Sequence, residues 1–246
     1  MQERSERTRR RLVFAGAELF HRSGYANATL GEIAGAAGVT KGALYFHFAS
    51  KDELADAVQR RGCRLLREAV RGLNESGASP LQALIDATHW LARTLHEEPA
   101  IPASFRITKE CGGHHSAQQD FQGAWLATVS DLLRLARDTG ELPLGGPAGG
   151  TGDDGTGDDG AEGAGPSPAE RWESAEALVA AAVCGIEVLS GTGLSYGELR
   201  RKVAALWGLL LPSLVGRART GEYRTDAREV PESAGARAYE FLGSGV

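Results

Sequence analysis

The chain has 246 residues, 42% of them hydrophobic and 24% charged, so it carries enough apolar side chain to bury a core in one or two domains. A formal net charge of −5 excludes a chain that is basic throughout, and no run approaches the roughly 18 apolar residues of a membrane helix. The three cysteines, Cys63, Cys111 and Cys184, are far apart and lack C-x-x-C spacing, which argues against both a disulfide framework and a zinc knuckle.

The N-terminal stretch MQERSERTRRRL is charged with no apolar segment behind it, so no secretory signal is expected and the chain reads as cytoplasmic. Its charge is unevenly distributed. Residues 1–51 hold 8 Arg and Lys against 4 Asp and Glu, a balance of +4 that leaves −9 for the remainder. The arginines between Arg4 and Arg11 lead into a helix with Leu12, Ala15, Leu19 and Phe20 on its apolar face, and their charge suits a phosphate backbone or a minor groove.

Residues 29–54, TLGEIAGAAGVTKGALYFHFASKDEL, form a helix-turn-helix pattern. Thr29 caps a helix with Leu30, Ile33, Ala34 and Ala37 on its small or apolar face. Gly38 supplies a left-handed turn, Val39 plugs the corner, and a second short helix begins near Thr40. In that second helix Leu44 and Phe48 share the inward face, while Lys41, Gly42 and Tyr45 share the outward one. The outward set suits a major groove. Lys41 can donate to a guanine edge or a phosphate, Gly42 permits close approach, Tyr45 and His47 can donate to phosphates, and Phe46 can pack on a thymine methyl. Lys51 opens the next helix within reach of a phosphate.

Helix starts recur as Ser or Thr followed three residues later by Glu or Gln, a spacing that closes a reciprocal capping box: Thr29/Glu32, Ser50/Glu53, Ser79/Gln82, Ser116/Gln119, Ser167/Glu170 and Ser195/Glu198. Behind them the apolar spacing stays helical, with Leu81, Leu84, Ile85, Thr88, Leu91 and Leu95 on one run, and Phe121, Trp125, Thr128, Val129, Leu132 and Leu133 on another. Further helices are expected over about 168–190 and 196–214. No convincing alternating segment bounded by turns is found, so the fold class is all-α. Residues 142–166 hold ten glycines and repeat TGDDG, which predicts a flexible surface loop; the calcium-binding alternative lacks a regular nonapeptide repeat. The tail 216–246 is polar and expected to be disordered.

Over roughly residues 8–55 the sequence resembles the tetracycline-repressor-like (TetR) transcriptional regulators. VTKGALYFHFASKDELADAV is more narrowly similar to their γ-butyrolactone-receptor branch. Trp125, in FQGAWL, sits where that branch carries a tryptophan in its ligand pocket. The resemblance implies an N-terminal three-helix helix-turn-helix DNA-binding domain over 1–50, then a larger helical effector-binding and dimerisation domain over 51–215. By position it implies DNA contacts from Thr29, Thr40, Lys41, Gly42, Tyr45, His47 and Lys51. The partners it implies are a palindromic operator in double-stranded DNA, a small-molecule effector and a second copy of the chain, with no cofactor; the glycine-rich insertion departs from the family pattern.

Trp125 offers a broad apolar surface with one N–H donor, and Phe121 and Thr128 lie a turn away on the same side, so these three are the candidate effector wall. A symmetric operator requires a symmetric reader, and the small residues Ala181, Ala182 and Gly185 with Leu206 and Leu210 are the candidate dimer surface. The combined reading is a homodimeric repressor that leaves its operator when a γ-butyrolactone-like or related metabolite binds. A helical adaptor that does not bind DNA is the alternative. An enzyme is disfavoured: GLSYG at 193–197 matches a nucleophile motif, but no strand precedes Ser195, which already serves as a cap. Cys111, His114, His115 and Glu110 make a poor metal site, because adjacent histidines seldom reach one ion together.

Overall fold

In the computed structural model, which describes residues 2–111, 120–142 and 167–227, the regular elements among those residues are all helical. They are α1 (Gln2–Ser23), α2 (Leu30–Ala36), α3 (Lys41–His47), α4 (Lys51–Glu75), α5 (Pro80–Glu97), α6 (Ala100–Cys111), α7 (Phe121–Asp138), α8 (Pro168–Ser190), α9 (Tyr196–Val215) and a 3₁₀ turn at Arg217–Glu222. None of these is long and apolar enough to cross a membrane.

The predicted caps set most helix starts. Thr29, Ser167 and Ser195 each close a full reciprocal box with the glutamate three residues on. Two other boxes close on one side only. Ser50 accepts from the Glu53 amide at 3.1 Å, but the Glu53 carboxylate reaches past it to the Ala49 amide at 2.7 Å. Ser79 accepts from the Gln82 amide, while the Gln82 side chain turns to Asp86 and to the backbone of Arg224. Ser116/Gln119 lies outside the described residues, and α7 is capped instead by Asp120, which accepts from the amides of Gln122 and Gly123.

No capping pair in the sequence marks α6. It starts without a Ser or Thr cap and carries Pro102 in its first turn, where the missing N–H is harmless because those amides have no intrahelical acceptor. The helix then buries Ala100, Ile101, Ala103, Phe105 and Ile107.

Two buried clusters organise the chain. The first joins α1, α2 and α3, through Leu12, Phe20, Ile33, Leu44 and Phe48, to Leu54 and Val58 of α4 and to Ala100, Ala103 and Ile107 of α6. The packing boundary therefore runs through α4 rather than at residue 50. The second cluster holds α5, α7, α8, α9 and the later part of α4 around two fully buried tryptophans, Trp125 and Trp207.

The loop expected at 142–166 falls outside the described residues beyond Leu142, as does the tail beyond 227. The beginning of that tail departs from the expected disorder. The Tyr223 hydroxyl donates to Glu141 at 3.2 Å, and Arg224 grips Asp86 through two contacts of 2.7 and 3.0 Å. His89 Nε2 lies 2.7 Å from the Thr225 carbonyl. Glu141 also accepts from the Ser79 hydroxyl at 2.7 Å, so one buried carboxylate secures both the tail and the start of α5.

Candidate nucleic-acid interface and effector wall

The turn between α2 and α3 is built by backbone hydrogen bonding. Val39 N–H donates to the Ala34 carbonyl at 2.9 Å and Gly38 N–H to Gly35 at 3.0 Å, the paired bonds of a Schellman ending. Gly38 sits at φ 62°, a conformation a side chain resists, and the Arg11 guanidinium lies 2.8 Å from where its Cβ would be. This turn, with Leu44 and Phe48 fully buried, fixes the outward face of α3.

That face carries few internal obligations. Lys41 is exposed and makes no ion pair with any described residue. Tyr45 is 56% exposed and Phe46 81%. His47 is half-buried, with the Phe46 ring edge-on to it at 5.2 Å. A Cβ on Gly42 would meet only the Thr40 hydroxyl, at 3.9 Å, so the protein's own packing does not require glycine there. Thr40 accepts from the Ala43 amide at 3.2 Å and its hydroxyl hydrogen has no acceptor among the described residues. These five outward positions, with Thr40 at their head, stand together as the sequence predicts.

Two positions depart from expectation. Lys51 does not reach outward: its ammonium donates to the carbonyls of Tyr25, Ala26 and Ala28 at 2.8, 3.1 and 3.2 Å and lies 4.5 Å from the Tyr25 ring centroid. All three of its N–H bonds are thereby used, and none remains for a phosphate. Thr29 is exposed, yet its hydroxyl donates to the Glu32 carboxylate at 2.7 Å and accepts from the Glu32 amide at 3.2 Å. A phosphate there would have to displace that carboxylate.

Beside them, the Tyr25 hydroxyl donates to Asp52, and burial first, then this carboxylate, pushes the phenol above its ordinary range. Arg106 and Glu110, paired at 2.8 Å on α6, hold the same corner: Arg106 donates to the His21 carbonyl at 2.7 Å and Glu110 accepts from the Ala26 amide at 3.0 Å. Burial, and then the Arg106 charge, hold the pKa of His21 below the usual value.

On the effector side, Phe121 and Trp125 are buried, Phe121 standing edge-on to Phe105 at 5.2 Å. The Trp125 indole N–H is buried and has no acceptor among the described residues. Thr128 is half-buried on the same side, but its hydroxyl donates to the Ala124 carbonyl at 2.9 Å. Trp207, which the sequence reading passed over, is bonded through Nε1 to the Thr88 hydroxyl at 2.8 Å.

Gln59 was also overlooked. Fully buried on α4, it donates to the Ser104 carbonyl at 3.2 Å and the Thr108 hydroxyl at 3.1 Å on α6, and accepts from the Phe121 amide at 3.1 Å. A lone glutamine among Ala55, Val58, Gly62 and Leu66 was the available signal. Gly62 permits the close approach beside it, since a Cβ there would lie 3.0 Å from both Phe121 and Ser104.

The nominated dimer residues need a change of register. Leu210 is buried, and Ala182 and Leu206 pack against the chain's own core. Apolar groups facing outward include Ala181, Leu178 (52% exposed), Val188 (61%) and Leu189 (37%) on α8, and Leu209 (78%) on α9; Gly185 is half-buried beside them. Among the described residues no group of His, Cys, Asp and Glu could hold a metal ion, and His114 and His115 lie outside them. Ser195 keeps its capping role, donating to Glu198 at 2.7 Å.

Residues 12–58 match the model of bacterial regulatory proteins of the tetR family. The A-factor receptor protein of Streptomyces griseus is 30% identical over 216 residues, 87% of this chain and 66% of the receptor. The chain belongs to the TetR family and resembles its γ-butyrolactone-receptor branch. It spans just under two thirds of that curated relative's length, 66%. The crystal structure of a γ-butyrolactone receptor, an ArpA-like protein, superposes with TM-score 0.68 at 27% identity, covering 89% of this chain and 94% of that one. The TetR-family protein CprB of Streptomyces coelicolor, solved in complex with its biological operator sequence, gives TM-score 0.66 at 28% identity over the same shares. These relatives are regulators and receptors.

Proposed function

We propose that the chain is a ligand-responsive transcriptional regulator: a homodimeric repressor that reads a palindromic operator with α3 and leaves it when a small γ-butyrolactone-like metabolite binds against α7. The observation that carries the reading is the division of α3. Leu44 and Phe48 are buried, whereas Lys41, Gly42, Tyr45 and Phe46 face outward, with side-chain donors on Lys41 and Tyr45 that no described residue engages. The kinship with an operator-bound regulator supports the same assignment.

A dimer would join the exposed leucines and valine of α8 and α9, spacing two α3 helices for major grooves about 34–36 Å apart. The orphaned Trp125 N–H offers one directed hydrogen bond in an apolar surround, which suits a small apolar molecule with a carbonyl acceptor such as a lactone. Release requires that the ligand prefer the conformation with misplaced reading heads. Gln59 ties the first turn of α7 to α4 and α6, and Arg106 and Glu110 tie α6 to the corner before α2, so a shift in α7 has a continuous hydrogen-bonded route to the head.

The test is fluorescence anisotropy with duplex DNA from the region upstream of the protein's own gene, titrated with a γ-butyrolactone. Binding that the lactone reverses supports the reading. DNA binding unmoved by lactone would leave a regulator with a different effector. No binding to duplex DNA at all would favour the helical adaptor.

A further inference from the structure

Alongside α3, a concavity of about 720 Å³ separates the α1 side from the reading helix. Arg4, Arg7, Thr8 and Arg11 line one wall, and Thr40, Ala43, Phe46 and His47 the other, with Gly38 between. The arginines are spaced by three and four residues, so they occupy one stripe of α1. All three are exposed, and none forms an ion pair with a described residue. Three unpaired guanidiniums side by side repel one another, an arrangement a chain of net charge −5 does not need for solubility.

The opposite flank of α3 has its own concavity, of about 410 Å³, lined by Ala26, Thr29, Gly31, Lys41, Tyr45 and Lys51 among others. Its charge is weaker than its composition suggests. Lys51 is bonded inward to three carbonyls and Thr29 to Glu32, which leaves Lys41 as the cation there that no described residue engages.

A helix lying in a major groove has one phosphodiester strand along each side. Resting on the DNA-binding reading above, we infer that the α1 groove seats one of those strands, with Arg4, Arg7 and Arg11 as its phosphate contacts and the Thr40 hydroxyl as a fourth donor. The α1 flank therefore carries the larger share of the sequence-independent grip on DNA, with Lys41 the unengaged cation on the other flank of the recognition helix. Gly38 contributes through shape: Arg11 lies across it, and any side chain there would push the guanidinium out of the groove.

The probe is a random-sequence duplex two to three helical turns long, with affinity measured against salt for the full chain. Each lost phosphate contact lowers the log–log slope by about 0.9, which at about 0.1 M salt is roughly 8-fold in affinity. Arg7→Ala is expected to do this, and the combined Arg4→Ala, Arg7→Ala and Arg11→Ala variant to lower the slope by about 2–3. Arg71→Ala removes the same charge from the far end of α4, where Arg71 pairs with Glu75, and is expected to leave the slope unchanged. A parent slope retained in the triple variant would overturn the groove while leaving DNA binding intact. Equal loss in Arg7→Ala and Arg71→Ala would show that net charge acts instead of the groove, and would also overturn it. A parent that does not bind duplex DNA would remove the functional reading itself, and the groove with it.

Discussion

The reading head and the rear half handle unpartnered polar groups in opposite ways. In the head they stand on the surface: Lys41 and Tyr45 on α3, and Arg4, Arg7 and Arg11 beside it, are exposed. In the rear half the unmatched donor of Trp125 is sealed inside an apolar cluster. An exposed cation costs little in water and gains when a polyanion displaces its counterions, whereas a buried orphan N–H costs about 1–3 kcal/mol until an acceptor reaches it. The first arrangement fits a large charged partner met at the surface, and the second a small ligand taken inside.

Trp207 supplies the control for the second half of that contrast, being as deeply buried as Trp125 but satisfied by Thr88. Trp207→Ala is expected to destabilise the fold by about 3–5 kcal/mol in denaturant titrations, since it opens a cavity beneath α5. Trp207→Phe removes the N–H from which the Thr88 hydroxyl accepts, while that hydroxyl keeps its own bond to the Ile85 carbonyl, and is expected to cost about 0.5–1.5 kcal/mol for the lost bond on top of the volume change that both tryptophans share. Trp125→Phe removes an unpaired group and is expected to cost less, within about 1.5 kcal/mol, while abolishing the response to lactone. If Trp125→Phe proved as destabilising as Trp207→Phe, the orphan donor would be matched after all and the contrast would fail.

A smaller effect is expected at two tyrosines, one in each half. Burial, then Asp52, pushes Tyr25 up, and burial, then Glu141, pushes Tyr223 up to about 12. Both folded values lie above the ordinary tyrosine value near 10, so their stabilising contribution is present below about pH 10 and is lost as pH rises through the folded values. Ultraviolet titration of tyrosinate is expected to show these two residues ionising late, and Asp52→Asn to bring Tyr25 earlier while leaving Tyr223 in place. Unaltered titration in Asp52→Asn would remove the Tyr25–Asp52 contact from the account.

What the sequence made legible was local. A Ser or Thr with an acid three residues on marks a cap without reference to the rest of the chain, and the Gly38 turn with Leu44 and Phe48 fixes the face of α3 in the same way. What it concealed was tertiary. Lys51 looks like a phosphate ligand until the carbonyls of Tyr25, Ala26 and Ala28 converge on it from the preceding corner. The outward register of α9 is hidden because Leu209, Leu210 and Leu211 are consecutive, and composition alone does not say which faces out. For α6 no Ser or Thr cap announces a helix.

The central claim is that the outward face of α3 reads DNA sequence, and it is tested most directly by the ratio of affinities for upstream and random duplex. With Lys41→Ala and Tyr45→Ala combined, both exposed positions, thermal unfolding is expected to stay put while that ratio falls by about 1–3 kcal/mol, or roughly 5- to 160-fold. A variant that keeps the parent's ratio would contradict the claim, because sequence would then be read elsewhere or not at all.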